Sequence, residues 1–157
     1  MRFQKTKYTC GPASIVNALL AIGVKITEAQ AEELSCTDPK HGVNELGIIK
    51  ALKKLGYEFH ILHDVTDIDE AWMWLTHQIR AGHPAVLSVE NFTHWSSVIG
   101  MLGDSRVIYA DPQYGLESNR RENGVRSFTR RGLMRIWGSR GRGYRRKYYG
   151  IAIVAPK

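Results

Sequence analysis

The sequence predicts an α+β domain, and three observations carry that expectation. Apolar residues recur at helical spacing through the first half of the chain. After Gly82-His83-Pro84 the texture changes to runs rich in Val, Ile and aromatic residues, and Gly103-Asp104-Ser105 separates two of these in the manner of a hairpin. Helices followed by antiparallel strands is the order of an α+β fold, with a helical half and a sheet half. At 157 residues the expected organisation is one domain over 1–157. A chain of this size buries roughly 68–70% of its unfolded surface. Its 43% hydrophobic and 24% charged residues exclude wholesale disorder.

The elements follow in order. Pro12 to Ile22 places Ile15, Val16, Leu19, Leu20 and Ile22 on one helical face. Pro12 sits in the first turn, where its missing donor is not needed, and Gly23 stops the helix. Thr27-Glu28-Ala29-Gln30 has capping-box spacing and opens a short helix through Leu34. Asn44 caps a third helix, with Leu46, Ile48, Ile49, Leu52 and Leu55 expected inward and Gly56 at its end. Asp67 to Arg80 predicts a fourth, with Ala71, Trp72, Leu75 and Ile79 at helical spacing. Strands are expected at Ala85–Val89, His94–Leu102 and Arg106–Tyr109, a helix over Ser127–Trp137, and a final strand at Tyr148–Val154.

The longest apolar stretch, Ser14 to Val24, contains Asn17 and falls short of the ~20 residues that span a bilayer. Met1-Arg2-Phe3-Gln4 leads into polar sequence, so neither a signal peptide nor an anchor is expected. Two cysteines make no disulfide scaffold, which predicts a reducing, cytoplasmic compartment. The net charge of +7 is uneven: Arg120 to Lys147 holds eleven Lys/Arg against Glu122 alone, leaving the remainder mildly acidic.

Cys10 precedes Gly11-Pro12-Ala13 at the start of the first helix. Backbone donors and the positive dipole end there favour thiolate over thiol. Gly11 permits close approach, and its amide lies near enough to help bind an oxyanion. The competing reading is a buried, inert thiol. Gln4, six residues upstream, can aim an amide donor at the same oxyanion or be merely solvated. His94 opens a strand, which fixes an imidazole as a general base requires, or is an ordinary core histidine. Asp111, at the end of a neighbouring strand, can set the tautomer of His94 or simply form an Asp-Pro turn. Singly each is weak; the ordered set Gln4, Cys10, His94, Asp111 is specific. Cys36 lies in a polar loop without an evident base and reads as incidental. His60 and His63 lack further ligands at metal spacing, so no metal site is expected, and no Gly-rich phosphate loop follows a strand, so no cofactor is expected either. Trp72 and Trp74 read as core and interface residues.

The set resembles the papain-like bacteriocin-processing cysteine peptidases, family thirty-nine, which remove leader peptides after a double glycine. Gln4, then five residues, then Cys10-Gly11-Pro12-Ala13-Ser14 is similar to the family's nucleophile segment and to its stand-alone members in particular. Gly42-Val43 through Lys53-Lys54-Leu55-Gly56, Gly82-His83-Pro84-Ala85-Val86, His94-Trp95, Ala110-Asp111-Pro112 and Ser127-Phe128 to Trp137 extend the likeness to about Val154. The resemblance implies Cys10 as nucleophile, His94 as base and then acid, Asp111 orienting His94, and Gln4 with the Cys10 N–H as oxyanion hole. It implies a papain-like fold and a peptide or protein substrate cut through a thioester. The same residues support deamidation or acyl transfer, because only the acyl acceptor differs. Ser96 and Ser97 stand where the family has aliphatic residues, and no coupling to a transporter domain is expected.

The basic stretch Arg120–Lys147 has three readings: a solvated face, a surface for an acidic partner, or, through Gly141-Arg142-Gly143-Tyr144-Arg145-Arg146, a nucleic-acid contact. The second and third define a rival to the enzyme, a non-catalytic module that keeps the fold and binds through this stretch.

Overall fold

The computed structural model describes residues 1–115, 124–139 and 146–155. Helix α1 spans Cys10–Ala21, α2 Glu28–Ser35 and α3 Glu45–Lys54. Strand β1 (Phe59–Val65) and helix α4 (Ile68–Arg80) precede β2 (Ala85–Val89), β3 (His94–Leu102) and β4 (Arg106–Ala110). A 3-10 turn at Pro112–Gly115, β5 (Val125–Thr129), α5 (Arg130–Ile136) and β6 (Tyr148–Ile153) complete the order.

The helix signals act as expected. Thr27 and Gln30 form a reciprocal capping box on α2, the Asn44 side chain accepts from the Gly47 N–H, and Asp67 caps α4 through the Asp69 and Glu70 N–H groups. Gly23 adopts the left-handed φ of 81° after α1, and Gly56 one of 78° after α3. Three expectations are corrected. Strand β1 was not anticipated; its side chains run largely exposed, so the period-2 burial that marks a strand is missing. Residues 127–129 belong to β5 rather than to the late helix, because they pair with β4 from Arg106↔Thr129 to Ile108↔Ser127. Leu46 does not face inward but is 67% exposed on the first turn of α3.

The six strands form one antiparallel sheet in the order β1-β6-β2-β3-β4-β5. Alternation along the strands divides the core in two. Ala85, Leu87 and Val89 of β2 join Val98, Val107 and Tyr148 on one face, covered by Leu75 and Ile79 of α4 and Leu133 of α5. Val86 of β2, Trp95 of β3 and Tyr149, Ile151 and Ile153 of β6 meet Ile15 and Leu19 of α1 and Ile48 and Leu52 of α3 on the other. Helix α1 is buried from Cys10 to Leu19, which explains its even hydrophobic surround. Among the described residues no helix is long and apolar enough to cross a membrane.

Gly150 is required by this packing. A Cβ on β6 at that position would lie 2.8 Å from Leu87 Cδ2 and 3.2 Å from the Trp74 ring, so α4 closes on the sheet only over a bare backbone.

Candidate active site

Helix α1 delivers Cys10 to the sheet face at its first residue. The preceding Thr9 makes no side-chain cap; its hydroxyl instead donates to the Thr6 carbonyl and accepts from the Thr6 N–H. Among the described residues no side chain therefore caps the first-turn donors of α1, beside a cysteine that is only 9% exposed. Gly11 follows, and a Cβ there would fall 2.0 Å from Val43 Cγ1. The close approach expected at this glycine is thus made by Val43, which walls the groove beside Cys10.

The Ser97↔Ala110 register sets the start of β3 beside the end of β4. His94 and Asp111 consequently meet, Nε2 to Oδ1, at 3.0 Å. The same carboxylate oxygen accepts the Gln113 N–H at 3.0 Å, which fixes its rotamer. Only Nδ1 of the buried imidazole is left for Cys10, which also acts on the ring by hydrogen bond and charge. Burial by itself pulls the His94 pKa down, but the bonds and charges of Asp111 and Cys10 outweigh it and raise it to about 9. For Asp111 burial favours the neutral acid, yet His94, the Gln113 amide and the Arg126 charge hold the carboxyl below its ordinary value. Arg126 pairs with Tyr109 in the β4–β5 ladder, a placement that sequence alone left within the general basic stretch.

Gln4 is buried and its backbone N–H donates to the Pro112 carbonyl at 2.9 Å, which ties the N-terminal segment to the residue after Asp111. Its side-chain Nε2 donates to the Thr6 carbonyl at 2.8 Å, and among the described residues Oε1 has no partner. One amide hydrogen remains uncommitted. The segment is held further by Asn17 Nδ2 donating to the Arg2 carbonyl at 2.9 Å and by the Lys5 N–H donating to the buried carboxylate of Glu28 at 2.9 Å.

Trp95 donates its indole N–H to the Val43 carbonyl at 2.8 Å, closing the groove over Cys10. The groove holds about 190 Å³ and is lined by Cys10, Val43, Phe92, Trp95 and the cationic Lys7 and Lys40. Phe92 was not anticipated as a lining residue. It ends a run of three left-handed residues, Glu90, Asn91 and Phe92 at φ 52°, 60° and 65°, where strands β2 and β3 connect. Such residues cost of order 1–2 kcal/mol each when they are not glycine. The turn is held by the Glu90 N–H on the Ile136 carbonyl and the Asn91 N–H on the Gly138 carbonyl. The half-exposed Phe92 ring is thereby fixed two residues before His94.

The other singled-out residues do not line this groove. Cys36 is exposed, and its sulfur accepts from Lys50 Nζ at 3.2 Å, a charged neighbour the sequence did not reveal. His60 donates through Nδ1 to Gln78 Oε1 at 2.8 Å, and His63 packs edge-on against Tyr149. Among the described residues no three His, Cys, Asp or Glu side chains form a metal-binding group. In the basic stretch, Arg130 pairs with Asp69, Lys147 lies 3.4 Å from Asp64, and Arg146 donates to the Trp137 carbonyl at 3.0 Å at the end of α5. Most of the Gly141–Arg146 run lies outside the described residues.

Comparison with known proteins places the chain. An uncharacterized protein of Methanothermobacter thermautotrophicus is 28% identical over 127 residues, covering 80% of both chains. The peptidase domain of Streptococcus ComA, a bi-functional ABC transporter, superposes with a TM-score of 0.70 at 23% identity over 99% of this chain and 97% of that one. A double glycine motif protease from an AMS/PCAT transporter, solved with its leader peptide, gives 0.65 at 17% identity over 96% and 87%. The fold is therefore that of the papain-like C39 peptidase domains. The family model described as Peptidase_C39 like family matches residues 1–142, and the chain belongs to that family.

Proposed function

We propose that the protein is a thiol-dependent endopeptidase. One observation carries this reading: an imidazole whose Nε2 is held 3.0 Å from a carboxylate and whose other nitrogen is left for a cysteine at a helix N-terminus. In the proposed reaction His94 takes the Cys10 proton and the sulfur attacks the scissile carbonyl. The Cys10 N–H and the uncommitted Gln4 amide hydrogen receive the developing oxyanion. His94 then protonates the leaving amine, and water resolves the thioester with His94 again as base. Asp111 keeps the imidazole in the required tautomer and favours its charged form. The small groove walled by Val43, Phe92 and Trp95 suits a scissile bond that follows glycine, in keeping with the double-glycine leader substrate of the transporter protease.

The test is turnover of a peptide library rich in Gly-Gly sites. Cys10→Ala is expected to lower kcat/KM by at least about 10⁴-fold while leaving the melting temperature nearly unchanged. Retained turnover in that variant would remove Cys10 as nucleophile.

A further inference from the structure

The groove at Cys10 does not end at Trp95. A second cavity of about 340 Å³ shares His41, Val43, Phe92 and Trp95 with it, so the two are continuous. Its lining differs in chemistry. Glu45, on the first turn of α3, and Asp64, at the end of β1, present carboxylates. Asp64 faces Lys147 in an open pair at 3.4 Å, whereas Glu45 has no cationic partner among the described residues. Both lie close enough to Tyr149 that their charges, added to burial, push its phenol up to about 12. Tyr149 and Ser88 are more than nine-tenths buried, line the cavity, and make no side-chain hydrogen bond among the described residues. Trp95 and Tyr149 meet edge-to-face at 6.1 Å, and Phe92 lines both spaces. Carboxylates, unpartnered hydroxyls and aromatic faces together complement one chemistry, a cation on an aliphatic stem.

We propose that this second cavity is a specificity subsite for a lysine or arginine side chain of the substrate near the scissile bond. Glu45 and Asp64 receive the cation, the Ser88 and Tyr149 hydroxyls accept its remaining hydrogens, and the Trp95 and Phe92 rings enclose its stem. The assignment rests on the peptidase reading for its meaning as a substrate site, but the cation binding itself does not require catalysis.

The test therefore separates the two. Nitrogen-15-labelled Cys10→Ala protein is titrated at pH 8, where ordinary imidazoles are neutral, with Nα-acetyl-lysine methylamide, its arginine counterpart and its norleucine counterpart. The reporter is the Trp95 indole N–H, assigned through Trp95→Phe. The cationic amides are expected to shift it saturably, with norleucine roughly tenfold weaker or worse. Glu45→Gln, a substitution of an exposed residue that leaves the Asn44 cap in place, is expected to weaken the lysine amide roughly tenfold and norleucine not at all. Tyr149→Phe, which keeps the ring contacts, should weaken it less. Equal affinity for lysine and norleucine, no saturable shift, or indifference to Glu45→Gln would each overturn the subsite. Peptide turnover by the unsubstituted enzyme is read alongside. Cation binding with no peptide hydrolysed would sink the peptidase reading and keep the cation site. Hydrolysis with no preference for a basic residue, unaltered by Glu45→Gln, would do the reverse.

Discussion

The two faces of the sheet are built to different ends. Under α4 and α5, Leu75, Ala85, Leu87, Val89, Val98, Leu133 and Trp137 are almost wholly buried and form a closed apolar layer. Under α1 and α3 the packing is comparably deep at Ile15, Leu19, Ile48 and Leu52, but it opens toward one end into two cavities. That face also buries polar side chains, Cys10, Ser14, Asn17 and Ser88 among them, with Ser97 on β3 donating to the Ser14 carbonyl at 2.9 Å. The second face exchanges part of its packing for positioned polar groups, and the first face supplies the rigidity that exchange requires.

The contrast is broken most severely by exchanging substitutions between the faces. Leu75→Ala beneath α4 should destabilise by about 2–5 kcal/mol, read from urea unfolding, and peptide turnover per folded molecule should persist. Cys10→Ala has the opposite signature, as described above. If Leu75→Ala abolished turnover of the folded fraction, or Cys10→Ala unfolded the protein, the division of labour between the faces would be wrong.

A smaller effect comes from pH. His94 is raised in the folded state, so its contribution is complete below its ordinary value of 6.5 and disappears as pH rises through about 9. Asp111 is lowered, so its contribution is present above 3.8 and disappears as pH falls through its folded value. Stability from this pair is therefore greatest between about pH 4 and 6.5. The unfolding midpoint of the native protein should decline between pH 6.5 and 9.5, and His94→Ala should flatten that limb. A limb of unchanged slope in His94→Ala would assign it to other groups. The alkaline arm of any pH–activity profile is expected near 9 for the same reason.

The smallest effect sharpens the comparison at the edge of the face that carries the candidate site. Thr27→Ala removes the capping box of α2 and should cost about 1 kcal/mol. Because Glu28 of that first turn holds the Lys5 N–H beside Gln4, a modest loss of turnover is expected with it. Thermal unfolding and kcat measured on the same preparation would separate the two. Unaltered kcat would mean that the N-terminal segment is fixed by Asn17 and Pro112 alone.

Much of this architecture was legible in the sequence because its signals are local. Capping residues, stop glycines and 3.6-residue periodicity act within one or two turns, and α1 to α4 begin and end within about two residues of expectation. Cys10 before Gly-Pro, and His94 and Asp111 at the first and last positions of a hairpin, stand out for the same reason, whereas the one-residue register shift at Val98/Gly100 that sets Ser97 opposite Ala110 was not legible there. Tertiary structure alone decided the rest. Strand β1 exists because β6 pairs with it, from Phe59↔Ile153 onward, and nothing within 59–65 alternates. The left-handed turn at Glu90–Phe92 contains no glycine; it persists because carbonyls of Ile136 and Gly138, more than forty residues later, hold its amides. The sequence by itself determined where the first four helices start, where the hairpin folds and which four residues merit chemistry, because those depend on neighbours in the chain. Which nitrogen of His94 faces Asp111, where the Gln4 amide points and what surrounds Tyr149 were decided only when distant segments packed, because each depends on atoms the local chain does not contain.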